Sequence, residues 1–150
     1  MSSQLDFFLE PAEVPDPPAR DLDFWHIAAE KLTWFDLLVR GYRVSDAGEG
    51  YPYDLLLDYQ NKIYRIQVKT TMGLRQDRNK TAYSFGKGGH SNDLNTYHGR
   101  ADIFALVAFH ERLVLYRVVS LVQTATLDIQ RSYFTPDRCD LSFQQTMGYF

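Results

Sequence analysis

The chain has 150 residues, 45% hydrophobic and 23% charged, which suits one globular domain and excludes a fibrous repeat or wholesale disorder. Its apolar runs, such as residues 103–109, are far shorter than the roughly twenty residues that a membrane span needs. The single cysteine, Cys139, cannot form an internal disulfide, and the acidic start lacks the basic residues of a signal peptide. We therefore expect a cytoplasmic protein that does not associate with membranes.

The net charge of −3 conceals an uneven distribution of charge along the chain. Residues 1–61 carry twelve acidic and four basic side chains, residues 62–100 carry two and eight, and residues 101–150 carry five and four. A basic middle segment can present a phosphate-binding surface even in an acidic protein, although solvated strand and loop residues would give the same pattern. The candidate nucleic-acid contacts in this segment are Arg75, Arg78, Lys80 and Lys87.

The N-terminal third of the chain predicts an arm, a helix and a short strand. Four prolines within the first twenty residues predict an extended acidic arm over residues 1–22, followed by a single domain over residues 23–150. Apolar residues then recur at three- and four-residue steps, which predicts a helix with one apolar face that ends at Gly41. A strand over residues 42–45 and a glycine-containing loop over residues 46–50 should follow. The predicted apolar face consists of Phe24, Ile27, Ala28, Leu32, Phe35, Leu38 and Val39.

The rest of the chain favours strands. Residues 53–59 and 63–71 predict two strands joined by a tight turn at residues 60–62, with a third strand near residues 82–85. Residues 103–109 and 113–119 predict a second hairpin. Residues 121–131 have helical potential, and the remainder carries little signal.

The first hairpin carries the candidate chemistry. Because side chains alternate between faces along a strand, Gln67 and Lys69 share one face. A two-residue turn places Asp54 opposite Gln67 or opposite Lys69, so all three lie together in either register, whereas a three-residue turn would separate them. Directly opposed Cβ atoms are roughly 4.5–5.5 Å apart, close enough for a carboxylate, an amide oxygen and an ammonium to surround one metal-bound water.

This pattern resembles the PD-(D/E)XK nuclease superfamily, in which an Asp ends one strand and an acid-x-Lys triplet lies on the next. The corresponding residues here are Tyr51-Pro52-Tyr53-Asp54 and Gln67-Val68-Lys69, and the helix that carries Glu30 resembles the Glu-bearing first helix of that family. The fuller pattern is most similar to the branch of group I intron homing endonucleases and relatives of Holliday-junction resolvases. Gln67 departs from the usual acid, but members of the intron-endonuclease branch use Gln-x-Lys.

The resemblance implies an α/β restriction-endonuclease-like fold, with a mixed central sheet flanked by helices. It implies hydrolysis of phosphodiester bonds in double-stranded DNA with Mg²⁺, for which Mn²⁺ can substitute. Asp54 would bind the metal directly and Glu30 would bind it directly or through water. Gln67 and the backbone carbonyl of Val68 would complete part of its oxygen shell, and Lys69 would orient a water or lower its pKa.

Three functions are compatible with these residues. The leading hypothesis is site-specific double-strand cleavage by a homodimer or homotetramer, since one such site cuts one strand. Structure-specific cleavage of four-way junctions is the second. A catalytically silent DNA-binding or structural module that retains the fold is the third, and the amide at Gln67 is compatible with it.

Overall fold

The computed structural model describes residues 22–71, 81–86 and 93–150. In chain order its helices and strands are α1 (Leu22–Val39), β1 (Arg43–Asp46), β2 (Leu55–Tyr59), β3 (Lys62–Thr71), β4 (Ala82–Gly86), β5 (Ile103–Ala108), β6 (Leu113–Val118), β7 (Thr126–Gln130) and α2 (Pro136–Gly148). Short 3-10 helices span Leu94–Tyr97, Val119–Leu121 and Arg131–Tyr133. No helix in these described ranges is long and apolar enough to cross a membrane.

The main sheet has five strands in the order β1-β2-β3-β5-β6. Strands β3 and β5 run parallel, and the other neighbours are antiparallel. Strands β4 and β7 form a separate antiparallel pair. The prediction of a mixed central sheet flanked by helices is therefore confirmed.

The core lies on both faces of the main sheet. Leu55 and Ile66 are buried in a cluster that includes residues of α1 and α2, whereas Phe104 and Leu106 are buried in a second cluster with β4 and β7. Every residue of β5 is buried, as expected of a strand covered on both sides. Packing on both faces therefore fixes the central strands in position. Strand β3, which lies between β2 and β5, carries Gln67 and Lys69.

Helix α1 is terminated by the glycine predicted to cap it. Gly41 has a φ of 89°, and its N–H donates to the carbonyl of Leu38 at 2.9 Å. The N–H of Tyr42 donates to the carbonyl of Leu37 at 3.1 Å. These two bonds form a Schellman motif, in which a residue without a Cβ adopts the left-handed conformation at least cost.

The predicted apolar face of α1 is wrong in its direction. Trp25, Ala29 and Leu37 are buried, whereas Phe24 and Phe35 are 68% and 64% exposed. The helix is apolar on two opposite sides, and both sides satisfy the helical period, so periodicity could not determine which of them packs on the sheet. The buried side includes a polar residue, Thr33, whose hydroxyl donates to the carbonyl of Ala29 at 2.9 Å.

The β2–β3 hairpin has the two-residue turn that is needed to place Asp54 on the same face as Gln67 and Lys69. Gln60 and Asn61 have φ values of 50° and 62°, as a type I′ turn requires, and Tyr59 pairs with Lys62. This register is one of the two predicted, and it continues to a pairing of Leu55 with Ile66. Asp54 comes one residue before β2 rather than within it.

The C-terminal part of the chain differs from the sequence prediction. Residues 126–130 form strand β7, not the predicted helix. Their apolar side chains alternate along the chain, they pair with β4, and Ile129 is buried in the same core cluster as residues of β4. Helix α2 was not predicted. Its signal was local: Thr135 accepts a hydrogen bond from the N–H of Arg138 as N-cap, and Pro136 occupies the first turn.

Candidate active site

The backbone on both sides of the hairpin holds Asp54 in place. Its N–H donates to the carbonyl of Ile66 at 2.8 Å, and its own carbonyl accepts from the N–H of Ala47 at 3.0 Å. The loop before β2 is thus tied to β3 and to the end of β1. The Asp54 carboxyl group is directed along β3 toward the Gln67–Lys69 triplet.

The Asp54 carboxylate and the Val68 carbonyl converge on a single position. Oδ2 of Asp54 accepts from the backbone N–H of Val68 and from Nε2 of Gln67, both at 2.7 Å, and the same Nε2 donates to the carbonyl of Val68 at 3.1 Å. Burial raises the pKa of Asp54 above its ordinary value, although the hydrogen bond from the Val68 N–H and the electrostatic influence of Lys69 and His26 act against this rise. The amide nitrogen of Gln67 therefore occupies a point that two oxygens face.

Lys69 is held by an aromatic residue that the sequence did not reveal. Its Nζ donates to the hydroxyl of Tyr97 at 2.9 Å and lies 4.5 Å from the centre of the Tyr97 ring. Tyr97 is 6% exposed and packs edge-on against Phe104 with ring centroids 5.7 Å apart. The ammonium thus has a hydroxyl acceptor and a π-face on one rigid side chain. No sequence pattern relates the two residues, because they are 28 positions apart and Tyr97 lies in a 3-10 helix.

Glu30 approaches the site from α1. Burial, together with the negative charges of Asp54 and Asp46, raises the pKa of Glu30 to about 7, while the positive charge of Lys31 opposes this rise. His26 lies one helical turn before Glu30 and acts electrostatically on Asp54. Residues four positions apart lie on the same side of a helix, so the spacing of His26 and Glu30 could have predicted that His26 also lies near the site.

The residues present fit a divalent cation, but only with a mixed set of oxygen ligands. Within residues 22–71, 81–86 and 93–150, no three His, Cys, Asp or Glu side chains are grouped so that they could hold a metal ion. The convergent oxygens of Asp54 and Val68 suit a hard cation, and a half-turn of the Gln67 amide would replace its nitrogen with its oxygen. Asp54 and Glu30 would then supply the negative charge.

Arg65 braces the strand that carries the site. Its backbone N–H, Nε and Nη2 donate to the Asp102 carboxylate at 2.8, 3.0 and 2.8 Å, and Nη1 donates to the carbonyl of Gly99 at 3.0 Å. Burial raises the pKa of Asp102, but the hydrogen bonds from Arg65 outweigh it and leave the pKa below its usual value. This ion pair attaches β3 to Asp102, the residue directly before β5. It also means that the Arg65 guanidinium is already hydrogen-bonded within the protein.

The candidate nucleic-acid contacts lie elsewhere in the chain. Arg75, Arg78, Lys80 and Lys87 fall outside the described residues, so their role stays a prediction.

Comparison with known proteins identifies a family that this chain matches. The family model described as PD-(D/E)XK endonuclease matches residues 28–130, which include Glu30 and the whole hairpin. The structure of a bacterial homing endonuclease is similar at a TM-score of 0.63 and 15% identity, covering 87% of this chain and 97% of that one. A Holliday junction resolvase from Archaeoglobus fulgidus, Hjc, gives a TM-score of 0.45 at 15% identity over 73% of this chain and 87% of its own. Among curated protein sequences, none matches. The likeness to the homing endonuclease confirms the restriction-endonuclease-like fold.

Proposed function

Because this chain belongs to the PD-(D/E)XK endonuclease family, we propose that it is a metal-dependent DNA endonuclease that hydrolyses phosphodiester bonds, with Mg²⁺ as its ion and Mn²⁺ as a substitute. The observation that carries the proposal is the convergence of the Asp54 carboxylate and the Val68 carbonyl on one position, 2.7 and 3.1 Å from the Gln67 amide nitrogen. A hydrogen-bond donor and a cation are attracted to the same arrangement of oxygens.

Each side chain then has a separate role. Asp54 and the Val68 carbonyl would hold the ion, and Gln67 would contribute its Oε1 after a half-turn of its amide. Glu30, whose pKa of about 7 leaves it partly protonated at neutral pH, would release its proton to solvent when an ion is held nearby and so add a second negative charge. Lys69, whose ammonium is anchored by Tyr97, orients the attacking water toward the phosphorus. The bound ion supplies positive charge that stabilises the phosphate oxygens and acidifies water.

We propose double-stranded DNA as the substrate and site-specific cleavage of both strands as the outcome. One such site hydrolyses one strand, so the reaction requires two copies acting together, as a homodimer or within a homotetramer. The similarity in fold to a bacterial homing endonuclease supports this choice of substrate.

The basic segment of residues 62–100 is the proposed DNA-binding surface. Arg75, Arg78, Lys80 and Lys87 contribute half of its eight positive side chains. Each phosphate that they neutralise would release counterions, so affinity for DNA should fall steeply with salt. Because Arg65 is engaged by Asp102, we expect it to contribute less to this surface.

The test is cleavage, in Mg²⁺ or Mn²⁺, of a library of supercoiled plasmids with randomised inserts, so that a target site is represented, and of a synthetic four-way junction. Wild type should convert plasmid to linear product, and Asp54→Asn should reduce the rate by at least ~100-fold with DNA affinity within a few fold, because the amide keeps the shape but removes the charge that binds the ion. The matched control is Asp58→Asn, an exposed carboxylate on β2, which should cleave like wild type.

The same assay separates the competing functions. Preferential cutting of the junction would replace site-specific cleavage with structure-specific cleavage. The hydrogen bond from Gln67 to Asp54 favours a silent DNA-binding module, since it satisfies the carboxylate without metal. DNA binding with no cleavage in either ion would make that module the better account.

A further inference from the structure

The side of α1 that faces away from the sheet forms a second apolar surface. Phe24, Ile27, Phe35, Leu38 and Val39 are each between 51% and 70% exposed. Together they expose roughly 500 Å² of apolar area, comparable to the largest apolar patch on a typical monomer. These five residues, the outer stripe of α1, are not needed to cover the core, because Trp25, Ala29 and Leu37 on the opposite side do that.

The ammonium group of Lys31, in the middle of the outer stripe, points away from the stripe toward Asp46. Lys31 occupies the stripe between Ile27 and Phe35, but its Nζ lies 3.6 Å from Asp46 and 4.6 Å from the centre of the Trp34 ring. Its methylene groups therefore remain in the stripe while its charge is compensated at the edge. The middle of the stripe can consequently be covered without leaving an unpaired ammonium.

Four of the five residues of the stripe are arranged symmetrically in sequence about Lys31. Phe24 and Leu38 lie seven residues on either side of it, and Ile27 and Phe35 lie four residues on either side. A two-fold axis through Lys31 that brings two α1 helices together antiparallel would place Phe24 on the Leu38 of the other copy, and Ile27 on the other Phe35. Self-complementarity of this kind is what an isologous interface requires.

We propose that the outer stripe of α1 is the surface through which two copies of this chain associate. Two stripes would contribute roughly 1,000 Å² of apolar area, against ~1,200–2,000 Å² in total for a specific interface. The stripe would thus form the apolar centre of the interface, and the polar residues on either side of α1 would form its rim. The inference does not depend on the proposed nuclease activity.

The experiment measures the mass of the full chain by sedimentation velocity over a wide range of concentration. Wild type should be a dimer, or a tetramer built from dimers, and Ile27→Glu or Phe35→Lys alone should weaken association through the stripe by at least ~100-fold, because each buries a charge twice in the symmetric contact. Ile63→Glu is the matched control, since Ile63 is 59% exposed but lies on β3, and it should associate like wild type.

A mixture of the two variants tests the register. Because Ile27 of one copy is placed against Phe35 of the other, mixing Ile27→Glu with Phe35→Lys should restore dimers that neither forms alone. Circular dichroism should show that every variant is folded, as expected for substitutions at exposed positions. A monomeric wild type, association that survives both substitutions, or a mixture that stays monomeric would each overturn the proposal. None of these outcomes depends on whether DNA is cleaved.

Discussion

Neutralising Glu30 should stabilise the metal-free protein, although Glu30 is a proposed site residue. Its pKa in the folded protein is about 7, against 4.5 for an ordinary glutamate. Above pH 4.5 an unfolded chain loses this proton while the folded chain keeps it, so the folded state loses stability as the pH rises toward 7. Glu30→Gln removes this loss, because glutamine cannot ionise.

The size of the effect follows from the pKa shift. The difference between a pKa of about 7 and the ordinary 4.5 corresponds to about 3.4 kcal/mol in full, but the Glu30 side chain is only partly buried, so solvent screening reduces this to roughly 1–2 kcal/mol. For a chain of this length, that gain raises the melting temperature by roughly 3–6 °C at pH 8. At pH 4 both proteins carry a neutral side chain here, and the difference should nearly vanish.

The assay is denaturant and thermal unfolding in EDTA at pH 4 and pH 8. Glu111→Gln is a control that should change the free energy of unfolding in the opposite direction. Hydrogen bonds from Tyr83 and Arg131 lower the pKa of Glu111, so they stabilise its ionised form, and replacing it with glutamine should destabilise the protein at pH 8. Saturating Mg²⁺ should stabilise wild type more than Glu30→Gln and so narrow the gap between them. An equal gain for Glu30→Gln at both pH values, or no gain at pH 8, would refute the electrostatic reasoning.

Two further predictions concern the residues around Asp54. Gln67→Glu should tighten Mg²⁺ binding by at least ~10-fold in calorimetry, because a carboxylate adds the charge that the amide lacks, and unchanged affinity would remove Gln67 from the ion's surroundings. Tyr97→Phe should lower kcat by roughly 10-fold with little change in KM or in DNA affinity, since it keeps the ring beside Lys69 but removes the hydroxyl that holds its ammonium. Unchanged kcat would show that this hydrogen bond does not position the lysine.

The hairpin was predictable because its signals are local and agree with one another. The turn at Gln60 and Asn61 fixes the register, and period-two alternation then fixes which side chains share a face with Asp54. The arrangement of Asp54 beside Gln67 follows from those two facts alone. It required no knowledge of the rest of the fold.

The errors came from choices that depend on distant parts of the chain. Both sides of α1 have helical period, and only packing against the sheet decides that Trp25 is buried and Phe24 exposed. Residues 126–130 form a strand because β4 pairs with them. Tyr97 lies 28 positions after Lys69 and Asp102 lies 37 positions after Arg65, so neither contact could be predicted from local sequence.

The two-residue turn of the hairpin has a consequence for how this protein can evolve. The amino acids at Gln60 and Asn61 can change as long as they tolerate positive φ, but the number of residues between Asp54 and Lys69 is far less free to change. One inserted residue would move the carboxylate to the opposite face of the sheet unless a bulge absorbed it, whereas two would lengthen the hairpin and preserve the alignment. Selection on the site would therefore act on the length of a turn whose own side chains lie outside the site, and relatives should differ there by pairs of residues.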